Sequence, residues 1–153
     1  MSYFWKILAR IWRLGGKRWR WRVLWLVNPT FLVGVTGVVL NNKGQVLLLR
    51  HRFWRAGSWG LPSGMVKRGE TMEQAFAREV REETALEIDD IRLIRVVSGF
   101  RLRLQLHFAA RITGGTLTLD EREILEARFF APDDLPDGLM RAHRETVRMV
   151  LES

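Results

Sequence analysis

A chain of 153 residues, 47% apolar, is enough for one domain with a real core, and the absence of cysteine excludes a disulfide framework or a thiolate metal site. The formal charge of +8 is unevenly placed, because residues 1–28 hold Lys6, Arg10, Arg13, Lys17, Arg18, Arg20 and Arg22 with no acid, leaving the remainder nearly neutral. Nothing here calls for an oxidising compartment, so a cytoplasmic location is expected, with residues 1–28 as a basic appendage to a domain over 29–153.

Residues 3–14 follow a helical period, with Lys6, Arg10 and Arg13 in a narrow cationic stripe opposite Trp5, Leu8, Ile11 and Trp12, and Gly15-Gly16 ending the helix. Residues 17–28 fit two periods. Trp19, Trp21, Val23, Trp25 and Val27 alternate as in a strand, while Trp19, Val23 and Leu26 fit a second helix, which is the expectation, ended before Asn28-Pro29. Two readings of this basic, Trp-rich helical extension stay open. It lies on an anionic membrane surface, peripheral at the inner face of the membrane, or its apolar face packs on the domain or on a second subunit in a homodimer. No charge occurs from Val23 to Asn42, long enough to raise a transmembrane helix, but Asn28-Pro29-Thr30 and the glycines among β-branched residues argue for strand. A signal peptide is rejected too, since basic and apolar residues are interleaved rather than in successive blocks.

Residues 31–40 and 45–50 flank the turn Asn41-Asn42-Lys43-Gly44 and are expected to pair as a buried hairpin. The loop that follows offers Arg50, His51, Arg52, Arg55 and later Arg68 to phosphates, against the plain alternative of solvated surface charge. Trp59 and Leu61 should pack it onto the core. Thr71 and Gln74 then form a capping box that starts a helix at Met72. That register gives Met72, Phe76 and Val80 the core stripe, and puts Glu79, Glu82 and Glu83 on one patch, where like charges repel. An isolated patch of this kind reads as a solvated acidic face offset by Arg78 and Arg81.

The order of residues says more. Gly64, Glu70, Arg78, Glu79, Val80, Glu82, Glu83 and Leu86 stand at the spacing G-x5-E-x7-R-E-U-x-E-E-x-x-U, with U aliphatic, over 23 residues. This resembles the Nudix box, the signature of the Nudix hydrolase family. Ala85 replaces the glycine usual before the last aliphatic residue, and Ser63 the first glycine of a usual Pro-Gly-Gly. Ala85 either takes a left-handed C-cap or continues the helix. The resemblance implies a Nudix α/β/α sandwich with a mixed sheet, an α/β fold, and a pyrophosphohydrolase that uses Mg²⁺ or Mn²⁺. Glu79, Glu82 and Glu83 would ligate the metal with the Gly64 carbonyl, while Arg78 and Glu70 would form an ion pair fixing helix to loop. Lys67 stands where relatives often have an acid, and no metal role is assigned to it.

Residues 91–98 suggest a strand, and residues 100–108 alternate: Leu102, Leu104 and Leu106 face the core, and Arg101, Arg103, Gln105 and His107 face a substrate cleft or solvent. Gly114-Gly115 turns the chain, residues 127–130 form another strand, and after a loop from Pro132 to Gly138 a final helix groups Met140, His143, Val147, Val150 and Leu151. By resemblance, Glu123, six residues before Phe129, is a further metal ligand or the base, in competition with Glu121 and Glu126. His143 stands where MutT-like members contact the nucleobase, its plain alternative being a core histidine.

The expected activity is metal-dependent hydrolysis of a phosphoanhydride bond in a nucleoside diphosphate derivative or nucleoside triphosphate, a small-molecule nucleotide. One of Glu79, Glu82, Glu83 or Glu123 would be general base, with Arg52, Arg55, Arg101, Arg103 and His143 binding substrate. The proline that many ADP-ribose pyrophosphatases carry past the box is absent, Leu102 occupying that region, and motifs of NADH and coenzyme A pyrophosphatases are missing, which favours a nucleoside triphosphate or an oxidised nucleotide by elimination. The alternative is a nucleotide- or RNA-binding Nudix module without turnover, in which interleaved Trp and Arg stack on bases.

Overall fold

In the computed structural model, which describes residues 2–28, 30–98 and 103–152, the chain divides into two units, Met1–Phe31 and Leu32–Ser153. The first holds two helices, α1 (Ser2–Leu14) and α2 (Lys17–Val27). The helical period of residues 17–28 prevails over the alternating one. Trp19 folds back at Gly15, where a Cβ would meet its ring, and meets Trp12 edge to face at 5.9 Å.

The second unit is built on a six-stranded mixed sheet. Its strands are β1 (Leu32–Leu40), β2 (Val46–His51), β3 (Ser63–Met65), β4 (Leu86–Ser98), β5 (Arg103–Gly115) and β6 (Ile124–Phe130). The order is β4-β5-β1-β2-β6, with β3 pairing β1. Two helices cover its faces, α3 (Met72–Thr84) and α4 (Arg141–Leu151). Apolar residues on the two sides of each central strand therefore serve two cores. Val35, Val39, Leu47, Leu49, Leu106 and Phe108 pack with Phe76 and Val80 of α3. Val38, Val46, Leu48 and Ala109 pack with Leu61 and with Val147 and Val150 of α4. This is the α/β/α sandwich, and it explains why strands 31–40 and 45–50 read as nearly continuous apolar runs. At Gly37 a Cβ would meet the Phe76 ring and the Phe108 carbonyl, so glycine lets α3 approach the sheet.

Four local expectations change. The hairpin pairs only at its turn, where Leu40 meets Val46 and the Asn41 side chain accepts from the amides of Lys43 and Gln45. Beyond it the loop ending in β3 wedges between the strands. Gly60 exchanges backbone hydrogen bonds with Leu49 on one side, and the Pro62 carbonyl accepts from Gly37 and from the Thr36 hydroxyl on the other. Second, β1 finds its long partner in parallel β5, from Leu32 with Arg103 to Leu40 with Arg111. Third, β4 and β5 run well beyond 91–98 and 100–108, with bulges at Glu87/Ile88, Asp89/Arg92 and Leu93/Arg95. Fourth, Leu151, expected in the apolar group of the last helix, is exposed, and Thr146 takes a buried place instead. Trp59 and Leu61 do pack the loop down: Leu61 is buried, and Trp59 lies edge to face with Phe130 at 5.0 Å. Leu102 and Arg101 lie outside the described residues.

Candidate active site

Helix α3 presents the acidic patch because its start is fixed. Thr71 accepts from the Gln74 amide at 3.2 Å and the Gln74 side chain accepts from the Thr71 amide at 2.9 Å, so the capping box is complete. Four residues on from Phe76 and Val80 the buried stripe ends in Thr84, whose hydroxyl donates back to the Val80 carbonyl. Ala85 then caps the helix at φ 56°, ψ 15°, the left-handed conformation, with Leu86 opening β4 directly behind it.

Arg78 is the hub of the patch. Its Nε and Nη2 donate to the two Glu70 oxygens at 2.9 and 2.8 Å, Nη1 to Glu79 at 2.7 Å and Glu82 at 2.9 Å, and Nη2 also to the Met65 carbonyl at 3.0 Å. One guanidinium thus ties helix, preceding loop and β3 together. Glu70, held mainly by Arg78 and also by the Lys67 amide, has its pKa drawn down to about 2. The repulsion read from the sequence is largely offset, since Lys67 adds a second cation on Glu82 at 3.2 Å. Burial works against ionisation of Glu82, but hydrogen bonds from Lys67 and Arg78 hold its pKa below the ordinary carboxylate value. Lys67 therefore has a place in the site that its sequence position did not show.

Glu83 is different. It is 5% exposed, and its carboxylate accepts from the Ser63 amide at 3.3 Å. Burial first, then the neighbouring charge of Glu79 and, further off, of Glu123 and Glu82, push its pKa well above the usual range. A buried carboxylate facing three others is what a bound cation would relieve.

Glu79, Glu82 and Glu83 line one cleft of ≈ 710 Å³ with Gly64, Ser63, Lys67, Asp120 and Glu123. The structure brings Glu123 there and not Glu121 or Glu126. Glu126 is paired with Arg50 and Arg128 on β6, and the Glu121 carbonyl holds Arg52. Glu123 is turned toward His51, 3.3 Å away. Asp120, which sequence reading passed over, completes the acidic wall. Arg122 holds its pKa down to about 2, and its amide donates to the Glu83 carbonyl. At Gly64 a Cβ would collide with the Glu79 carboxylate, so only glycine leaves the space that loop and carboxylate share. Among the described residues no three acidic or histidine side chains converge on a point, and Arg78 and Lys67 hold oxygens of Glu79 and Glu82. The donors are hard oxygens on one wall, and that set fits a hard divalent cation.

A second pocket, of ≈ 490 Å³, adjoins the first at Ser63, which lines both. Its other walls include Trp54, Arg95, Arg103, Gln105, His107, Met140 and His143, with Glu145 as an acid among them. Burial, then the Arg95 charge, lower the His143 pKa to about 4, so the ring is neutral, and its Nδ1 accepts from the Leu61 amide at 2.9 Å. The proton must then sit on Nε2, a donor. His107 is buried and neutral for the same reasons, within 2.7 Å of the Thr146 hydroxyl. Arg95 donates to the Ala142 carbonyl and Thr146, while its buried Nε has no partner among the described residues. Of the arginines proposed for substrate, Arg103 lines this pocket. Arg52 is instead spent on the carbonyls of Arg122 and Glu121, and Arg55 is exposed and lines neither cleft.

A mixed sheet between two helices, with an acidic helix face turned to a glycine loop, defines the Nudix class of hydrolase domains. The chain belongs to the Nudix hydrolase family, for the NUDIX domain model matches residues 30–150. It is similar to the NAD-capped RNA hydrolase NudC of Salmonella heidelberg (strain SL476), with 36% identity over 100 residues, 65% of this chain and 39% of that protein. The chain thus spans about two fifths of the length of that relative. Among solved structures it resembles the MutT NUDIX hydrolase from Burkholderia pseudomallei, at 27% identity and a TM-score of 0.69, covering 80% of this chain and 99% of that one. It also resembles a NUDIX hydrolase from Nitrosomonas europaea, at 25% identity and a TM-score of 0.72, covering 82% of this chain and 72% of that one.

Proposed function

We propose that the chain hydrolyses a phosphoanhydride bond in a nucleoside diphosphate derivative or nucleoside triphosphate, with Mg²⁺ or Mn²⁺ held by Glu79, Glu82, Glu83 and the Gly64 carbonyl. The observation that carries this reading is the junction at Ser63, where a wall of carboxylates adjoins a pocket of nucleoside size lined by hydrogen-bond donors. A divalent cation in the first cleft would neutralise phosphate oxygens and acidify a bound water.

The chain's own residues have separate tasks. Arg78 sets the carboxylates of Glu79 and Glu82 by hydrogen bonds, and both point into the cleft as ligands rather than as proton acceptors. Glu83 is buried. Glu123, with its side chain 55% exposed, touches His51 and can exchange a proton with solvent, so it is the general base we favour. In the adjoining pocket the His143 Nε2–H, Arg103 and Gln105 would meet acceptors on the base or sugar, with Trp54 beside them.

The relative named above acts on NAD-capped RNA, which adds a diphosphate-linked dinucleotide end to the substrates worth testing. The test is turnover of purified protein with nucleoside triphosphates, nucleotide sugars, ADP-ribose, NAD and NAD-capped RNA, under Mg²⁺ or Mn²⁺. Glu82→Gln should weaken metal activation, whereas Glu123→Gln should lower kcat by at least a hundredfold at saturating metal. Absence of turnover on every substrate, with nucleotide binding retained, would mean a binding module and overturn the proposal.

A further inference from the structure

We propose that residues 1–28 dock the protein onto an anionic lipid surface, with α1 lying in the plane of the headgroups. Helix α1 carries Phe4, Trp5, Leu8 and Ile11, which are 61%, 62%, 44% and 53% exposed, opposite Lys6, Arg10 and Arg13. In α2, Trp21, Trp25, Leu26 and Val27 are exposed as well. So large an uncovered apolar surface costs free energy in water and marks an interaction site.

Charge selects the occupant. The segment's seven cations have no acid among them, and none takes part in an ion pair among the described residues. Helix α2 begins with Lys17, Arg18 and Arg20 at an N-terminus that has no side-chain cap and no acid in its first turn. Cations there oppose the helix dipole, an arrangement that phosphates at that end would reverse. A second copy of the segment would bring the same seven positive charges to the interface and repel. Single-stranded RNA would satisfy the arginines and stack on tryptophan, but it offers nothing to Ile7, Leu8 and Ile11. An anionic bilayer meets both demands, since tryptophan and aliphatic side chains enter the acyl boundary and arginine snorkels to phosphate.

Depth follows from length. At 1.5 Å per residue the 13 residues of α1 rise only about 20 Å, short of the ~30 Å hydrocarbon core. No helix among the described residues is long and apolar enough to cross a membrane, so the segment lies on the surface.

The experiment is cosedimentation of the full chain with vesicles of phosphatidylcholine alone or mixed with phosphatidylglycerol, together with tryptophan emission. The expected result is partition at least a hundredfold stronger onto the anionic vesicles, with a blue shift. Replacing Lys6, Arg10 and Arg13 by Gln together should reduce that partition about a hundredfold. Trp5→Ser with Ile11→Ser should remove binding even at low salt. All five positions lie outside the domain's two cores, so its melting curve, followed by circular dichroism, should not move and serves as the folding control. Four results would overturn the proposal: equal partition onto both vesicle types, no partition, binding of labelled RNA with vesicles ignored, or a dimer in solution that the Trp5/Ile11 variant dissociates.

Discussion

Ala85 holds a backbone conformation that suits glycine, at φ 56° with its amide still bonded to the Arg81 carbonyl. Its side chain is exposed, so a glycine loses no packing and relieves the contact between Cβ and the carbonyl. Ala85→Gly should therefore stabilise the chain by about 1 kcal/mol, read as a higher denaturation midpoint. Gly64 is the opposite case. A methyl group there meets the far end of the Glu79 side chain rather than backbone, so Gly64→Ala should move the carboxylate and leave the fold. The expected outcome is turnover lowered by about two orders of magnitude with a melting temperature within a few degrees of wild type. A variant with normal turnover would show that the shared space between loop and Glu79 is not needed.

Among the elements, α3 carries the most consequence, because a shift of one residue along it would rotate the acidic patch by 100° and turn it out of the cleft. The capping box prevents that, and it is exposed, so its worth can be measured without disturbing the core. Thr71→Ala should cost about 1 kcal/mol, near 2–4 °C in melting temperature for a chain of this size. Strand β4 shows how an element can hide a residue from periodicity. Its bulges at Asp89/Arg92 and Leu93/Arg95 reset the alternation twice, and Arg95 reaches the second pocket by that route.

For the whole molecule, acid should be the sensitive direction. His107 and His143 are both held neutral, with pKa values lowered from 6.5 to about 4. In the unfolded chain they take up protons as the pH falls below the ordinary value, while in the fold they do not. Their contribution is thus full above about pH 6.5, is lost as the pH falls toward 4, and changes little further below that. The slope should approach ~1 kcal/mol per pH unit for each histidine. His143→Asn keeps an acceptor for the Leu61 amide without a titrating ring, and urea denaturation across pH 4–7 should then show a shallower slope. An unchanged slope would mean that His143 is already solvated.

The sequence by itself determined what depends on neighbours within a few positions: the start of α3 at Met72, its Phe76 and Val80 stripe, the common face of Glu79, Glu82 and Glu83, and the helical period of residues 3–14. Those follow from capping and from i, i+4 geometry, which act before any tertiary contact exists. The spacing of the box carried the family, and with it the layer architecture. Tertiary structure decided which strands are neighbours, since Gly60 and Pro62 enter between β1 and β2 and leave only Leu40 and Val46 paired. It decided that Glu123, rather than Glu121 or Glu126, stands opposite Glu83, and that Lys67 and Asp120 share its cleft. It also gave His143 its neutral ring and its proton on Nε2, through burial and the Leu61 amide from a segment 82 positions away. Hydrogen-bond partners, desolvation and the meeting of two clefts at Ser63 depend on chain segments brought together from afar, and no local pattern encodes their distance.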